Sequence, residues 1–131
     1  MRSRRLTACA LACAVALAVT SAVAAADSDG DDAVLRADKM AYDSAIKCFI
    51  ANGIVAGDWH RDGNSAKQLA SEAKARESFD LATRAGETLG YSGTRMNEDF
   101  GLAQTAELPR MMTDVAYFKR TAATCKALGL M

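Results

Sequence analysis

Apolar residues recur at helical spacing through most of the chain, and no stretch of useful length alternates as a β-strand would. The first helix is predicted from about Ala33 to about Val55. Positions three or four apart share one face of a helix, so its apolar stripe should face a core. That stripe is Leu35, Tyr42, Ile46, Phe49 and Gly53, and beside it runs a stripe of small residues, Ala37, Ala41, Ala45 and Cys48.

Turn-forming residues separate the first helix from the second. The segment Gly57–Asn64 is rich in Asp, Asn and Gly and is predicted to be a loop. Ser65, followed three residues later by Gln68, matches a capping box. The second helix should therefore begin at Ser65 and continue to about Thr88.

The C-terminal third of the chain predicts two further helices. A short third helix is expected from Arg95 to Gln104, and Pro109 is expected in the first turn of the fourth. The fourth helix carries an apolar seam, Leu108, Met111, Val115, Phe118, Ala122, Cys125 and Gly129. The fold class is therefore predicted to be all-α, an irregular four-helix bundle with a short third helix.

The N-terminus reads as a secretory signal peptide, residues 1–26. Three arginines precede an uncharged Ala/Leu/Val-rich run, which ends at the small residues Ala24–Ala26. Cleavage is expected after Ala26, or elsewhere within Ala22–Ala26. The alternative is an uncleaved anchor, because about 20 apolar residues can span a bilayer.

The sequence after the leader is predicted to form one domain. Residues 27–32 are acidic and contain no apolar side chain, so a flexible tail is expected there, followed by a single helical domain over residues 33–131. The mature protein is expected in the periplasm or outside the cell, without a stable membrane anchor.

The charge balance argues against nucleic acid as a partner. The chain has 16 basic and 16 acidic residues, and loss of the three leader arginines leaves 13 basic residues, a net charge of about −3. Proteins that bind nucleic acid through its phosphates need a basic surface. The expected partner is instead an unidentified protein or another envelope component.

Four cysteines divide between the leader and the domain. Cys9 and Cys13 leave with the signal peptide, so Cys48 and Cys125 remain. Two cysteines in an exported chain most simply form one disulfide. This bond would link the first and last helices.

The segment around Trp59 and His60 is the only candidate metal site. Asp58, His60 and Asp62 alternate along the predicted loop and could present oxygen and imidazole ligands on one side. Zinc sites normally use more nitrogen or sulfur ligands than one histidine supplies. A polar turn is therefore the preferred interpretation, with metal or small-ligand binding as the alternative.

No catalytic pattern stands out in the sequence. It has no glycine-flanked serine elbow, no phosphate-binding glycine loop and no dinucleotide fingerprint, and no cofactor is predicted. The leading hypothesis is a non-enzymatic exported protein that acts by contact with another macromolecule. The alternatives are a small-ligand or metal-binding bundle that uses the Trp59–His60 segment, and a small cell-envelope hydrolase with a carboxylate site.

Overall fold

The computed structural model describes residues 20–131, and the side chains of residues 30–131. Most of the predicted signal peptide, with Cys9 and Cys13, lies outside the described residues, so the leader and its cleavage stay predictions. The chain divides into two units, Met1–Val34 and Leu35–Met131. The contacts and surfaces discussed below belong to the second unit.

Four helices and no strand make up the described part of the chain, which confirms the all-α fold class. They are α1 (Thr20–Arg61), α2 (Ser65–Thr88), α3 (Gly93–Thr113) and α4 (Val115–Ala127). Within residues 20–131, none of these helices combines the length and the apolar character needed to cross a bilayer.

Helix α1 extends beyond its predicted limits at both ends. It includes residues 27–32, which are helical where the sequence predicted a flexible tail, and it continues through Gly57 to Arg61. The alanines at 24–26 favour helix, and one interior glycine costs a helix only about 1 kcal/mol, too little to end it. The predicted loop therefore shrinks to residues 62–64.

The prediction of a short third helix is wrong. Helix α3 has 21 residues and α4 has only 13. Pro109 lies inside α3, and the break comes five residues later at Asp114, which has extended backbone angles and accepts a hydrogen bond from Tyr117 N at 2.9 Å. An interior proline removes one helical hydrogen bond, whereas an aspartate N-cap actively stabilises a new start.

The cap of α2 lies one residue before its predicted position, and α3 has a cap of the same type. Asn64, and not Ser65, caps α2 by accepting a hydrogen bond from Lys67 N at 3.1 Å. Ser92 caps α3 by accepting from Arg95 N at 3.2 Å. Short polar residues at these positions satisfy amides that the first helical turn leaves without partners.

Helix α1 supplies most of the hydrophobic core. Tyr42 and Ile46 are buried as the stripe predicts, whereas Leu35 is 51% exposed. An aromatic cluster of Phe49, Phe79 and Phe100 joins α1, α2 and α3, with ring centroids 5.0–6.1 Å apart. The other buried apolar residues are Ala45, Cys48, Ile50, Ala51, Ala56, Ala82, Ala85, Met111, Tyr117, Cys125 and Leu130.

The disulfide between Cys48 and Cys125 is present and links α1 to α4, which confirms the prediction. The two Cα atoms are 5.5 Å apart, within the range that a disulfide requires. On α4 the buried positions are Tyr117, Thr121 and Cys125, four residues apart. The predicted seam through Val115 has a different phase, and Val115 is 65% exposed.

The C-terminal residues return to α1 beside this disulfide. Gly129 has a φ of 72°, which lets the chain reverse so that Leu130 N donates to Cys125 O at 2.8 Å. The buried side chain of Asn52 then donates to Leu130 O at 2.7 Å and to Cys48 O at 2.9 Å. One amide therefore ties the last turn of the chain to the cysteine-bearing turn of α1.

Candidate functional site

A large concave surface of the described chain is an open apolar groove between the C-terminal half of α1, the end of α3 and the start of α4. Its volume is about 580 Å³. We call it the α1–α3–α4 groove. Its large apolar lining residues are Phe49, Ile50, Ile54, Leu108, Met111, Met112, Val115 and Phe118.

Three large side chains of this groove are exposed at the junction of α3 and α4. Met112 is 64% exposed, Val115 65% and Leu108 38%. Met112 lies at the end of α3 and Val115 at the start of α4, on either side of the break at Asp114. At this break neither side chain is covered by the packing of α3 against α4. Clustered exposed apolar residues next to a groove are typical of binding surfaces.

The α1 wall of the groove contains two glycines one helical turn apart. A Cβ added at Gly53 would meet nothing within 4 Å, and one added at Gly57 would meet only Arg61 Nη1 at 3.8 Å. Glycine inside a helix costs about 1 kcal/mol relative to alanine. Internal packing within the described residues therefore does not explain these two glycines.

Gly86 on α2 shows the contrasting case. A Cβ there would lie 2.5 Å from Met96 Sδ and 3.0 Å from Tyr42 Cε2. Any larger residue at this position would force Met96 and Tyr42 to move, so the packing of α1 and α3 against α2 favours glycine here. Nothing comparable covers Gly53, so the surface above it is open.

The polar rim of the groove is electrically balanced. Asp58 and Arg61 form an ion pair with each other at the α1 end, and Gln104 of α3 is neutral. No other charged side chain of the described chain lines the groove. The groove therefore favours an apolar ligand surface over a strongly charged one.

The structure does not bring the metal-site candidates together. Asp58 is paired with Arg61, and His60 Nδ1 lies 3.2 Å from Gln68 Oε1. Asp58 and His60 are two residues apart on a helix and so point in roughly opposite directions, while Asp62 lies in the following turn. Among the described residues, no group of three or more His, Cys, Asp or Glu side chains could hold a metal ion.

The polar groups between α1 and α3 are paired with one another. Tyr42 Oη donates to Asp99 Oδ2 at 3.0 Å. Burial raises the pKa of Tyr42, and the hydrogen bond and charge of Asp99 raise it further. Glu107 accepts from Tyr117 Oη and lies 3.5 Å from Lys47 Nζ. These contacts hold α3 against α1 and α4.

Sequence reasoning missed the groove, although two signals for it were present. The sequence places Gly53 on the predicted apolar stripe and Gly57 at the start of the predicted loop, and it places Asp114 within the predicted fourth helix. A helix start at Asp114 would have placed Met112 and Val115 on either side of a break. Both residues then become candidates for exposure.

Comparison with known proteins gave no match to any protein-family model, curated protein or solved structure. A functional proposal must therefore rest on the geometry of the described residues. Its most distinctive element is the open groove over Gly53 and Gly57.

Proposed function

We propose that this chain is an exported, non-enzymatic protein that binds an amphipathic helix of another protein in the α1–α3–α4 groove. The observation that carries the proposal is an apolar groove with two glycines, Gly53 and Gly57, on one wall and no side chain above Gly53. Contact with another macromolecule is also the role that the sequence favoured.

The groove walls favour a helix over an extended segment. All three walls are helices, so they offer no strand edge with a row of unpaired amides and carbonyls. An extended segment buried there would lose hydrogen bonds to water and gain none. A helix satisfies its own backbone and presents side chains at helical spacing to an apolar groove.

The two glycines favour close approach of that helix. Without a Cβ at Gly53 and Gly57, a partner backbone can come nearer to α1 than the usual 8–10 Å between helix axes. The partner face that meets them should carry small residues, flanked by larger apolar ones that contact Met112 and Val115. Because Asp58 and Arg61 neutralise each other, binding should depend weakly on salt.

Export is supported by two independent features. The first 26 residues have the composition of a secretory signal. The Cys48–Cys125 disulfide is compatible with an oxidising compartment. The partner is therefore expected in the same compartment.

Site-specific photo-crosslinking in the producing cells tests the proposal. A photoreactive residue at Met112, in the groove, is compared with the same residue at Leu69, which is 60% exposed on α2 and does not line the groove. We expect a protein adduct from position 112 only, and the crosslinked peptide should be an amphipathic helix. A synthetic copy of that peptide should then bind the purified protein.

A matched pair of glycine variants tests the site itself. Gly53→Leu should weaken binding of the peptide by at least tenfold, about 1.4 kcal/mol, because the side chain occupies the approach path. Gly101→Leu is the control, since a Cβ at this exposed α3 glycine also meets nothing within 4 Å. Equal adducts from positions 112 and 69, adducts only with lipid or with a second copy of this chain, or equal losses in both variants would overturn the proposal.

A further inference from the structure

A second, smaller cavity lies between α1 and α4 beside the disulfide. Its volume is about 250 Å³. The side chains that line it next to Cys48 and Cys125 include Ser44, Lys47, Tyr117, Arg120 and Thr121. It does not overlap the residues of the α1–α3–α4 groove.

The cavity has a positive lining. Lys47 and Arg120 both line it, and no acidic residue of the described chain does. Arg120 lies 5.9 Å from the centre of the Tyr117 ring and forms no ion pair with any described residue. Arginine is always protonated in proteins, so its charge remains available to a ligand.

Lys47 contributes a second cation from α1. Its Nζ lies 6.0 Å from the centre of the Tyr117 ring and 3.5 Å from Glu107 Oε1. Glu107 also accepts a hydrogen bond from Tyr117 Oη but is not among the residues that line the cavity. Burial lowers the pKa of Lys47, but hydrogen bonding with Tyr117 and attraction to Glu107 outweigh it, so the pKa is raised. Lys47 is therefore charged at neutral pH.

Thr121 is a largely buried residue whose hydroxyl has no partner within the described chain. The residue is only 8% exposed. Ser78, another buried residue with a hydroxyl, donates to Lys74 O at 2.8 Å. No side-chain oxygen or nitrogen of the described chain is both fully buried and without a partner, so the Thr121 hydroxyl is within reach of water. A ligand oxygen in the cavity would take the place of that water.

We propose that this cavity binds a phosphate group, held by Lys47 and Arg120 and accepting hydrogen bonds from Thr121 and Ser44. Hydrogen bonds from cationic donors to phosphate oxygens are stronger than neutral ones, and the guanidinium of arginine matches two of those oxygens at once. The anion would bridge α1 and α4 beside their disulfide. The proposal does not depend on the groove.

Calorimetric titration of the purified, oxidised protein with inorganic phosphate tests this site. Sodium chloride at matched ionic strength is the blank. Arg120→Gln should weaken phosphate binding by at least tenfold, about 1.4 kcal/mol. Lys119→Gln, which removes the same charge from an exposed neighbour outside the cavity, should change it less than twofold.

The contribution of the Thr121 hydroxyl is tested separately from that of the Arg120 charge. Thr121→Val keeps the side-chain shape, so it should weaken phosphate binding severalfold without lowering the melting temperature. Ser44→Ala, at a half-buried position on α1, provides a second hydroxyl variant if Thr121→Val folds poorly. Phosphate binding that is unchanged in both hydroxyl variants would contradict the proposed contacts.

Two sources of the phosphate group are distinguished with vesicles. Vesicles that contain phosphatidic acid are compared with vesicles of phosphatidylcholine alone. Selective binding to the first, displaced by free phosphate and lost in Arg120→Gln, assigns the site to a lipid headgroup, whereas phosphate binding without vesicle binding assigns it to a soluble phosphate. No saturable binding of either probe, or equal loss in Lys119→Gln, would overturn the proposal.

Discussion

Two adjacent faces of α1 differ sharply in how the rest of the chain covers them. Cys48 and Asn52 are each 1% exposed and are joined to the C-terminal region by the disulfide and by a side-chain hydrogen bond. Gly53 and Gly57 lie on the neighbouring face, and no part of the described chain packs above Gly53. The covalent and polar links are concentrated on one face, which leaves the other available to a partner.

This difference has an energetic basis. An exposed apolar groove contributes little to the stability of the free protein, because its side chains remain in contact with water. A domain with a modest core therefore needs stabilisation elsewhere. The Cys48–Cys125 face supplies it, and five variants measure how unevenly stability is distributed.

Loss of the disulfide should have the largest effect. The bond closes a loop of 77 residues, and in the chain-entropy model this stabilises the fold by about 4.5 kcal/mol. We expect the double variant Cys48→Ser with Cys125→Ser to melt at least about 10 °C lower than the oxidised protein. Thiol counting on the unfolded, unreduced mature protein, which retains only Cys48 and Cys125, is the control, and two reactive thiols per chain would contradict the role assigned to this bond.

Asn52→Ala should have the next largest effect. The substitution leaves the carbonyl of buried Leu130 without its donor, and an unsatisfied buried group of this kind costs about 2 kcal/mol. Urea unfolding measures the loss in the free energy of unfolding. Asn97→Ala on the exposed face of α3 is the control and should change stability by less than about 0.5 kcal/mol.

The same glycine-to-alanine change should lower the free energy of unfolding on a packed surface and raise it on an open one. Gly86→Ala forces Met96 and Tyr42 to move, so we expect destabilisation by about 1 kcal/mol. Gly53→Ala meets nothing and gains helix propensity, so we expect stabilisation by about 0.5–1 kcal/mol. Equal and same-signed shifts in urea unfolding would show that the groove face is not open in solution.

Replacement of Tyr42 by phenylalanine should have the smallest effect on stability at neutral pH. Tyr42→Phe removes the hydrogen bond to Asp99, which costs about 0.5–1 kcal/mol. Because the pKa of Tyr42 is raised in the folded state, the unfolded chain loses this proton first, and stability falls as pH rises above the ordinary tyrosine value of about 10. The raised pKa values of Lys39 and Lys47 likewise make the folded state less stable as the pH becomes more alkaline.

Unfolding free energies measured across alkaline pH check this sign. The wild-type protein should lose stability steadily as the solution becomes more alkaline, and Tyr42→Phe should show a shallower decline. Tyrosinate absorbance of the folded protein provides the control, since Tyr42 should resist ionisation until unfolding. Identical slopes for the two proteins would rule out Tyr42 as the cause.

The sequence predicted the features that depend on local spacing. Helical periodicity identified four helices and placed Tyr42 and Ile46 in the core, and the cysteine count predicted the bond between Cys48 and Cys125. These follow because spacing along a helix determines which side chains share a face. The phase of α4 was wrong because Leu108 and Val115 were assigned to one continuous helix, whereas Asp114 separates them.

The surfaces could not be predicted in the same way. Nothing in the sequence distinguishes Thr121 from an exposed helical threonine, and its burial depends on where the disulfide positions α4 against α1. Nor does the sequence indicate that Asn52 pairs with a carbonyl 78 residues away. Contacts of this kind depend on tertiary geometry, which periodicity does not encode.

The 77-residue span of the disulfide also affects the timing of folding during synthesis. At about 5–20 residues per second, a ribosome needs roughly 4–15 s to extend the chain from Cys48 to Cys125. Throughout that interval Cys48 is a thiol without its partner, and Asn52 has no Leu130 carbonyl to bind. The buried face of α1 can therefore assemble only when translation of the chain is nearly finished, and any other thiol that reaches Cys48 earlier would compete with Cys125 for the bond.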